Sequence, residues 1–496
     1  MKFDFGTYGR HCEVDTTEAV PATVSGSIPD YMYGEFIFNG NGLSKIGDSN
    51  YRHCFDPASI LQKVTVSPSG CRYMSRFLQS TTLARNREAG AIVVPEFGTR
   101  VQAAGGGGIF GKLKKMADVE SMMSDNTAIN VGRFNNRLYA IGVTPYYHEL
   151  DEKTLETKSR VNLYKDEGIV VTCPHLERLG TGALACVGQS IGVTGAKYCV
   201  IEYPDGDGSP RVVARISPRW RLHPCFMHSF GVSERFLVLF EQPMSVGLVD
   251  AVKDIINSTC FVDSVKWLPE ESVIVTLLDT KTWKTYKKKF SFEPQFILHF
   301  CNCYEDTNGD LVVDFMSYKG PDVLHDFYLD VMRAPKEVEK IREHFKSSLM
   351  RIILPLSADD SKSEIAVTPQ VLAEVPMENP RINPNYLRRQ HRYVYGVGIT
   401  DDDCARVSKV DCMTGEEKRF VQDGIYPGEV IYVPRPSEQA EDDGTLAVFC
   451  LFSAKKDLGC LLLLSASDLT EVARITFNAV DTITNPAHGQ FFPATA

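Results

Sequence analysis

Three histidines of this chain stand where metal chemistry is plausible. Their surroundings read Met227-His228-Ser229-Phe230-Gly231, Leu298-His299-Phe300-Cys301-Asn302 and Ala487-His488-Gly489-Gln490-Phe491. Each lies at the start or end of an apolar segment, beside small or turn-forming residues. The chain has 11 histidines, and a single one is more often structural or solvated than catalytic. Imidazole is the commonest metal ligand, however, and imidazoles that converge from several strand ends would suit a metal ion on a propeller axis.

Two other chemistries lack the motif that they need. No H-E-x-x-H sequence of a zinc protease occurs, and the glycines at 105 to 108 are not followed by the Gly-Lys-Ser/Thr of a phosphate-binding loop. The histidines therefore remain the best candidates for chemistry.

The elements that would position these histidines are short strands. Runs of four to eight β-branched and aromatic residues alternate with clusters of Gly, Asp, Asn and Pro, which is typical of an all-β domain. The clearest predicted strands cover residues 91–94, 138–143, 198–202, 236–241, 272–278, 311–316, 446–452 and 461–465. A further segment, 338–345, has helical spacing and is predicted to be a surface insertion.

Several strands are followed by a similar turn. An Asp-x-x-Thr sequence starts at Asp151, Asp279 and Asp411, and a looser version starts at Asp468. The Asp side chain can accept a backbone N–H two residues on, which favours a hairpin between adjacent strands. Such turns also occur in other large β proteins. Their recurrence from residue 151 to residue 471 nevertheless predicts radial repetition of small antiparallel sheets, a β-propeller, rather than one sandwich.

Composition excludes several classes of function. The chain has 496 residues, of which 43% are hydrophobic and 23% charged, and its net charge is −10 without a long basic run. Nucleic acid is therefore an unlikely partner on charge grounds. No apolar stretch approaches the ~20 residues that span a bilayer, and the N-terminus lacks a secretory signal, so we expect a cytoplasmic protein. The 14 cysteines are scattered without a C-x-x-C pair, which indicates thiols rather than disulfides.

Two segments interrupt the strand pattern, near residues 103–125 and 244–262. The first is a glycine run followed by apolar and basic residues, and the second has apolar residues at helical intervals. Either could lie on a membrane surface, or could pack its apolar side on the protein. The residues predicted to face the membrane are Ile109, Phe110, Leu113, Met116, Leu248, Val252, Ile255 and Ile256.

Across nearly its whole length the chain resembles the carotenoid cleavage oxygenases, in particular the animal branch with β-carotene oxygenases, the retinoid isomerase and the insect carotenoid isomerooxygenase. The resemblance rests on the ordered motifs Arg52-His53-Cys54-Phe55-Asp56, Glu96-Phe97-Gly98-Thr99, Asp125-Asn126, Met227 to Gly231, Glu241-Gln242-Pro243, Glu378-Asn379-Pro380-Arg381-Ile382, Tyr426-Pro427-Gly428-Glu429, Glu441-Asp442-Asp443-Gly444 and His488-Gly489.

This resemblance implies a fold, a cofactor and a ligand. The fold is one all-β domain over residues 1–496, a seven-bladed β-propeller with a helical cap over an axial site. The cofactor is one Fe(II) per chain held by four histidines, and the ligand is a carotenoid or retinoid in an apolar tunnel. The resemblance also implies peripheral docking on a membrane. The oligomeric state stays open.

The family's metal site carries over only in part. His228, His299 and His488 match three ligands, but the sequence Thr172-Cys173-Pro174-His175 puts Cys173 at the fourth position. A thiolate there would add negative charge and soften the site. His175 is a substitute, but on an extended strand it would lie roughly 6 to 7 Å from position 173. We therefore expect a fourth position that is open or occupied by Cys173.

The carboxylates that hold the ligand imidazoles in this family are also incomplete. Two of the three match Glu378 and Glu429, while the third position reads Val143. Loss of one such carboxylate typically costs ~10 to 100-fold in metal affinity or activity, because it no longer orients its histidine.

Three functions compete. The first is an iron oxygenase that splits a polyene double bond into two aldehydes, with or without isomerisation of one half. The second is a retinoid isomerohydrolase. The third is a binder of carotenoids or retinoids that has lost its metal, which the residues Cys173 and Val143 favour. The retained histidines and glutamates favour the oxygenase, because a protein without a metal has no evident reason to bury them.

Overall fold

The computed structural model of the protein describes residues 4–101, 120, 123–204, 208–247, 260–357, 363–399 and 404–494. All eight residues predicted to face the membrane lie outside the described residues.

The described residues form an all-β fold, with only 9% of the chain in helices. The strands from the N-terminus to residue 203 are β1 (Val20–Gly26), β2 (Gly34–Leu43), β3 (Lys45–Ile46), β4 (Ser49–Asn50), β5 (Ala58–Ser67), β6 (Gly70–Phe77), β7 (Asn130–Phe134), β8 (Arg137–Ile141), β9 (Tyr146–Leu150), β10 (Thr157–Asn162), β11 (Ile169–Thr172), β12 (Glu177–Arg178), β13 (Leu184–Gly192) and β14 (Gly195–Tyr203). The strands from residue 211 to residue 381 are β15 (Arg211–Ile216), β16 (Gly231–Val232), β17 (Phe236–Glu241), β18 (Met244–Val246), β19 (Val265–Trp267), β20 (Val273–Asp279), β21 (Lys289–Phe292), β22 (Phe296–Glu305), β23 (Leu311–Tyr318), β24 (Ser348–Leu354), β25 (Glu364–Ala366), β26 (Gln370–Ala373) and β27 (Glu378–Arg381). The last strands are β28 (Tyr393–Ile399), β29 (Ala405–Asp411), β30 (Glu417–Val421), β31 (Ile425–Pro434), β32 (Gly444–Phe452), β33 (Leu458–Ser465), β34 (Glu471–Asn478) and β35 (Pro486–Pro493).

Short helices lie between some of the sheets. The α-helices are α1 (Thr81–Ala89), α2 (Leu163–Glu167), α3 (Val323–Asp326), α4 (Leu329–Arg333) and α5 (Val338–His344), and 3-10 turns occupy Phe5–Thr7, Asp30–Met32, Phe261–Ser264 and Pro384–Tyr386. Helix α5 confirms the helical spacing predicted for residues 338–345. Among the described residues, no helix is both long and apolar enough to cross a membrane.

The arrangement is propeller-like, but the prediction of seven separate blades is wrong. The described residues form five separate sheets of four or five strands, namely β7–β10, β11–β15, β16-β17-β20-β21-β25, β22-β23-β24-β26 and β27–β30. The other long strands belong to one nine-stranded sheet, in the order β31-β32-β33-β34-β1-β6-β5-β2-β35. The reason is β1, which pairs with β34 on one side and with β6 on the other. The chain ends therefore meet in a continuous sheet.

The predicted Asp turns join neighbouring strands as expected. The Asp151 carboxylate accepts the backbone N–H of Thr154 at 2.9 Å between β9 and β10, and Asp411 accepts that of Met413 at 2.9 Å between β29 and β30. One strand prediction fails, because residues 91–94 are irregular. The backbone N–H groups of Val93 and Val94 donate to the Asn86 side chain instead of to a sheet.

The hydrophobic core lies between neighbouring sheets. Ile141 and Tyr147 of one sheet pack with Cys186 and Val200 of the next, and the same cluster continues to Leu237 of a third. Each sheet thus presents alternate side chains to two neighbours, as the two-residue period of strands requires. None of the 14 cysteines forms a disulfide, as predicted.

The edge strands of the sheets meet around a common axis. β16 contacts β22, β22 contacts β27, β27 contacts β31, and β31 contacts β35. Each of these five strands stands first or last in its sheet. Residues from distant parts of the chain are therefore brought together at the centre.

Candidate metal centre

Four histidines converge on the axis where these edge strands meet. They are His175, His228, His299 and His488, and one ring nitrogen from each lies within 4.8 Å of the others. The Nε2 atom of His228 is 3.2 Å from that of His299 and 3.4 Å from that of His175. The three histidines predicted from the sequence are thus brought together, and His175 is the fourth.

Each histidine is delivered by a different part of the fold. His299 lies within β22, and His488 lies within β35, where it pairs with Asn39 of β2. His228 stands just before β16, and His175 lies in the connection between β11 and β12.

Two of the four histidines are each held by a carboxylate. His299 donates from Nδ1 to Glu378 Oε2 at 2.7 Å, and His488 donates from Nδ1 to Glu429 Oε1 at 2.8 Å. In the described part of the chain, His175 and His228 have no such carboxylate partner. Glu378 and Glu429 are the two residues that the family resemblance puts at carboxylate positions.

Burial favours the neutral form of three of the four imidazoles. Burial lowers the pKa of His175, His228 and His488 below the ordinary value, and the neighbouring histidines lower it further. For His488, Glu429 opposes this shift without reversing it. Neutral imidazole is the form that coordinates metal ions.

The position predicted for Cys173 differs from the one observed. Its backbone N–H donates to the Val187 carbonyl at 2.7 Å, and its Sγ lies 3.7 Å from the Met227 carbonyl. The side chain is buried in the hydrophobic core, and burial raises the pKa of this thiol well above its usual range. Cys173 is therefore a neutral core residue, while His175 joins the other three histidines.

The prediction placed Cys173 rather than His175 at the metal site because it assumed an extended backbone through residues 173 and 175. Strand β11 ends at Thr172, and the chain bends at Pro174. His175 follows the bend and is directed to the axis. No spacing rule for strands describes the direction of a residue after such a bend.

Val143, at the third predicted carboxylate position, is a partly exposed residue with 37% of its surface accessible. Its carbonyl accepts the backbone N–H of Thr172 at 3.2 Å, next to the start of the His175 connection. Its side chain can offer no hydrogen bond to an imidazole.

A cavity of about 240 Å³ opens on one side of the histidine group. His228, His299 and His488 line it, whereas His175 does not. Most of the remaining wall is apolar, and the segment from α3 to residue 346 covers part of it. The apolar and aromatic lining residues are Phe5, Tyr8, Phe55, Ile129, Leu298, Tyr318, Phe327, Met332, Phe345, Met377 and Val397.

The donor set fits a transition metal ion. Since His299 and His488 use Nδ1 for their carboxylate partners, Nε2 is the nitrogen that each ring presents to the centre as a ligand. Several imidazole nitrogens facing one another at 3.2 to 3.4 Å are readily explained by a cation between them. Imidazole ligands suit iron, zinc, copper and nickel.

Comparisons with known proteins find relatives over nearly the whole chain. A family model described as retinal pigment epithelial membrane protein (RPE65) matches residues 9–493. The carotenoid isomerooxygenase of Galleria mellonella is 34% identical over an alignment that covers 99% of this chain and 97% of that protein. The β,β-carotene 15,15'-dioxygenase of Rattus norvegicus is 28% identical over 98% of this chain and 91% of that protein.

Solved structures share the fold. A variant of the Synechocystis apocarotenoid oxygenase matches with a TM-score of 0.79 and 21% identity, covering 99% of this chain and 100% of that one. A chimera of that oxygenase with RPE65 matches with a TM-score of 0.79 and 19% identity, covering 100% of both chains.

Proposed function

The chain belongs to the carotenoid oxygenase and RPE65 family, and on this premise we propose that it is a non-haem iron oxygenase that cleaves a carotenoid double bond into two aldehydes. The observation that carries the proposal is the group of four converging histidines, three of which line an apolar cavity. The two oxygen atoms of O2 account for the two aldehyde oxygens, so the reaction needs no separate reductant.

The residues of the site have separate roles in this proposal. His175, His228, His299 and His488 would hold one Fe(II) per chain, which when bound supplies the activation of O2. Glu378 and Glu429 orient two of the imidazoles through their Nδ1 hydrogens, and such outer partners typically matter ~10 to 100-fold for metal affinity or activity. The apolar wall would bind the polyene and exclude water.

Product analysis tests this function directly. Metal-loaded protein incubated with a carotenoid and O2 is expected to give two aldehydes, and ¹⁸O2 should label both. The relatives called carotenoid isomerooxygenase favour the version in which one product is a cis isomer, which chromatography of the products would detect. Conversion of a retinyl ester to cis-retinol would instead support an isomerohydrolase, and unchanged bound pigment would support a binding protein.

Metal stoichiometry separates the oxygenase from the metal-free binder. After anaerobic reconstitution with Fe(II), wild type and Cys173→Ala should each retain near one equivalent of iron, because Cys173 lies in the core. His175→Ala should lose most of it, because one of four ligands is removed. If wild type retains no iron, the oxygenase proposal fails; if Cys173→Ala loses it and His175→Ala does not, the assignment of the fourth ligand is wrong.

We also propose peripheral docking of this chain on a lipid surface through the insertions near 103–125 and 244–262. Described residues beside the second insertion support this. Val193 is fully exposed at the β13–β14 hairpin, and Leu222 is 51% exposed. Their segments lie close together, because Ala196 donates its backbone N–H to the carbonyl of Arg221, the neighbour of Leu222. Val246, at the start of the insertion, donates its backbone N–H to the carbonyl of Pro224. Exposed apolar residues grouped in this way are typical of a docking surface.

A vesicle experiment tests the docking. Wild type should float with phosphatidylcholine vesicles, while the double variant Val193→Asp/Leu222→Asp should stay largely unbound with unchanged thermal stability. Val480→Asp, at another exposed apolar residue, is the matched control. Equal flotation of all three proteins would contradict the proposal.

A further inference from the structure

The two histidines that have no carboxylate partner among the described residues are His175 and His228. The direction of each of these imidazoles depends on the backbone that carries it. In both cases a buried amide side chain donates a hydrogen bond to that backbone. Each amide is also connected to the segment of a histidine that does have a carboxylate, as the following contacts show.

Asn130, the first residue of β7, holds the bend that carries His175. Its Nδ2 donates to the Pro174 carbonyl at 3.0 Å, and this carbonyl belongs to the peptide bond between Pro174 and His175. Its Oδ1 accepts the backbone N–H of Val131 at 2.8 Å, which defines the end of the amide that faces Pro174. Because a buried carbonyl that loses its donor is costly, this contact opposes any change in the bend.

Asn39 connects Asn130 to the strand of His488. The fully buried Asn39 donates from Nδ2 to the backbone carbonyl of Asn130 at 2.9 Å. In the pairing of β2 with β35, Asn39 stands directly opposite His488. The bend before His175 is therefore linked to the strand whose histidine is held by Glu429.

Gln242 makes the corresponding link between His228 and His299. Its Nε2 donates at 3.0 Å to the carbonyl of Phe226, two residues before His228. The same amide donates to the Ile297 carbonyl at 3.2 Å and accepts the Ile297 N–H at 2.9 Å, two residues before His299. Gln242 is 3% exposed. It thus fixes the spacing of the two segments whose histidine Nε2 atoms lie 3.2 Å apart.

We propose that Asn130 and Gln242 are positioning residues of the metal centre, which direct His175 and His228 through the backbone where no carboxylate holds the ring. This inference rests on the proposed function, because it takes the histidine group to be a metal site. In the described structure neither amide is hydrogen-bonded to an imidazole, and neither lines the cavity. Both residues therefore act on the metal only through the histidines that they place.

Titration of the metal-free protein with Co(II) tests the proposal. Visible absorption under argon reports Co(II) binding without catalytic turnover, at concentrations up to millimolar. Asn130→Leu and Gln242→Met remove each amide at similar size, and each should lower the Co(II) affinity about 10-fold or more. Asn86→Leu is the matched control. This buried amide of α1 accepts the backbone N–H of Val93, so its loss should lower stability but leave Co(II) affinity unchanged.

Double-variant cycles separate positioning from a general loss of stability. If Asn130 acts through His175, Asn130→Leu should cause no further loss of Co(II) affinity in the His175→Ala protein. Gln242→Met should likewise cause no further loss in the His228→Ala protein. Each amide variant should keep its full effect when the other histidine is the one removed, because independent sites contribute additively. A general destabilisation would lower affinity in every background.

The outcomes distinguish this inference from the proposed function. An unchanged Co(II) affinity of Asn130→Leu and Gln242→Met, or additive losses in the cycles, would overturn the positioning role and leave the oxygenase proposal intact. Failure of wild type to bind any Co(II) would overturn both. If circular dichroism shows that Asn130→Leu does not fold, Asn130→Ala, which adds no bulk, replaces it in the same titrations.

Discussion

The two carboxylates of the metal centre are unequal partners of their histidines. Glu429 is fully buried, and its Oε1 accepts both from His488 and from the Arg381 guanidinium, each at 2.8 Å. The Glu378 side chain is 21% exposed. Its Oε2 accepts from His299, but its Oε1 is buried without a hydrogen-bond partner.

The side of the site around Glu429 is therefore the rigid side, and the side around Glu378 is the more adaptable one. Gly489 adds its backbone N–H to Glu429 Oε2, so both oxygens of this carboxylate accept hydrogen bonds. Burial opposes ionisation of Glu429, but Arg381 and His488 outweigh it and hold its pKa below the ordinary value. Glu378 lines the cavity and has no arginine partner among its hydrogen bonds. We therefore expect changes at Glu429 to affect folding and metal binding together, and changes at Glu378 to affect mainly the metal.

The largest effect is expected for Glu429→Gln. The amide would leave Arg381 without its counter-charge. Its NH2 group would also face the backbone N–H of Gly489, so that two donors oppose each other. Together these two changes should lower the free energy of unfolding by about 2–4 kcal/mol. Urea denaturation of the metal-free protein measures it. If Glu429→Gln lowers the free energy of unfolding no more than Glu378→Gln does, the distinction between the rigid and the adaptable side is wrong.

Arg381→Met should have the next largest effect. It removes the counter-charge but keeps the His488 and Gly489 donors, and the arginine side chain is 36% exposed. The buried Glu429 carboxylate loses its counter-charge, but its two remaining donors and the water access at Arg381 limit the loss, which we expect to be about 1–2 kcal/mol. Arg381→Lys should recover part of it in the same assay. If Arg381→Met lowers the free energy of unfolding as much as Glu429→Gln does, the ion pair with Arg381, rather than the hydrogen bonds from His488 and Gly489, stabilises the rigid side.

Glu378→Gln should change stability by less than about 1 kcal/mol, because the carbonyl oxygen can still accept from His299. Metal affinity should nevertheless fall ~10-fold or more, since an amide orients and polarises the imidazole less than a carboxylate. Competition for Co(II) against a chelator of known affinity would quantify this loss. An unchanged affinity would mean that Glu378 does not support the metal.

The smallest effect is a pH dependence. Because the pKa of Glu429 is lowered on folding, its stabilisation is fully present above its unfolded pKa of about 4.3 and is lost as the pH falls through its folded pKa. The difference in unfolding free energy between wild type and Glu429→Gln should be constant from about pH 6 to 8 and should shrink below about pH 4. A difference that grows on acidification would contradict the lowered pKa.

The sequence supported several local predictions because they depend on local interactions. The Asp151 and Asp411 turns follow from side-chain to backbone hydrogen bonds within four residues, and β17 coincides with the predicted strand at 236–241. The segment at 91–94 failed because the side chain of Asn86 takes its backbone N–H groups. Apolar composition alone does not reveal that competition.

The count of separate sheets could not be predicted from local patterns. Whether β1 joins the C-terminal strands depends on pairing between residues such as Thr23 and Thr476. A repeat of strand and turn does not encode such a partner. Instead of the seven blades expected, the described long strands form five separate sheets and one nine-stranded sheet.

The sequence by itself determined the strand-rich class, the reduced cysteines and three of the four histidines, because composition and short motifs carry these properties. Tertiary structure alone decided that His175 rather than Cys173 completes the group, and that Glu429 is anchored by Arg381 while Glu378 is not. The physical reason is that each of these contacts joins residues from different sheets. Their relative directions are set by the packing of whole sheets around the axis, and no spacing along the chain specifies them.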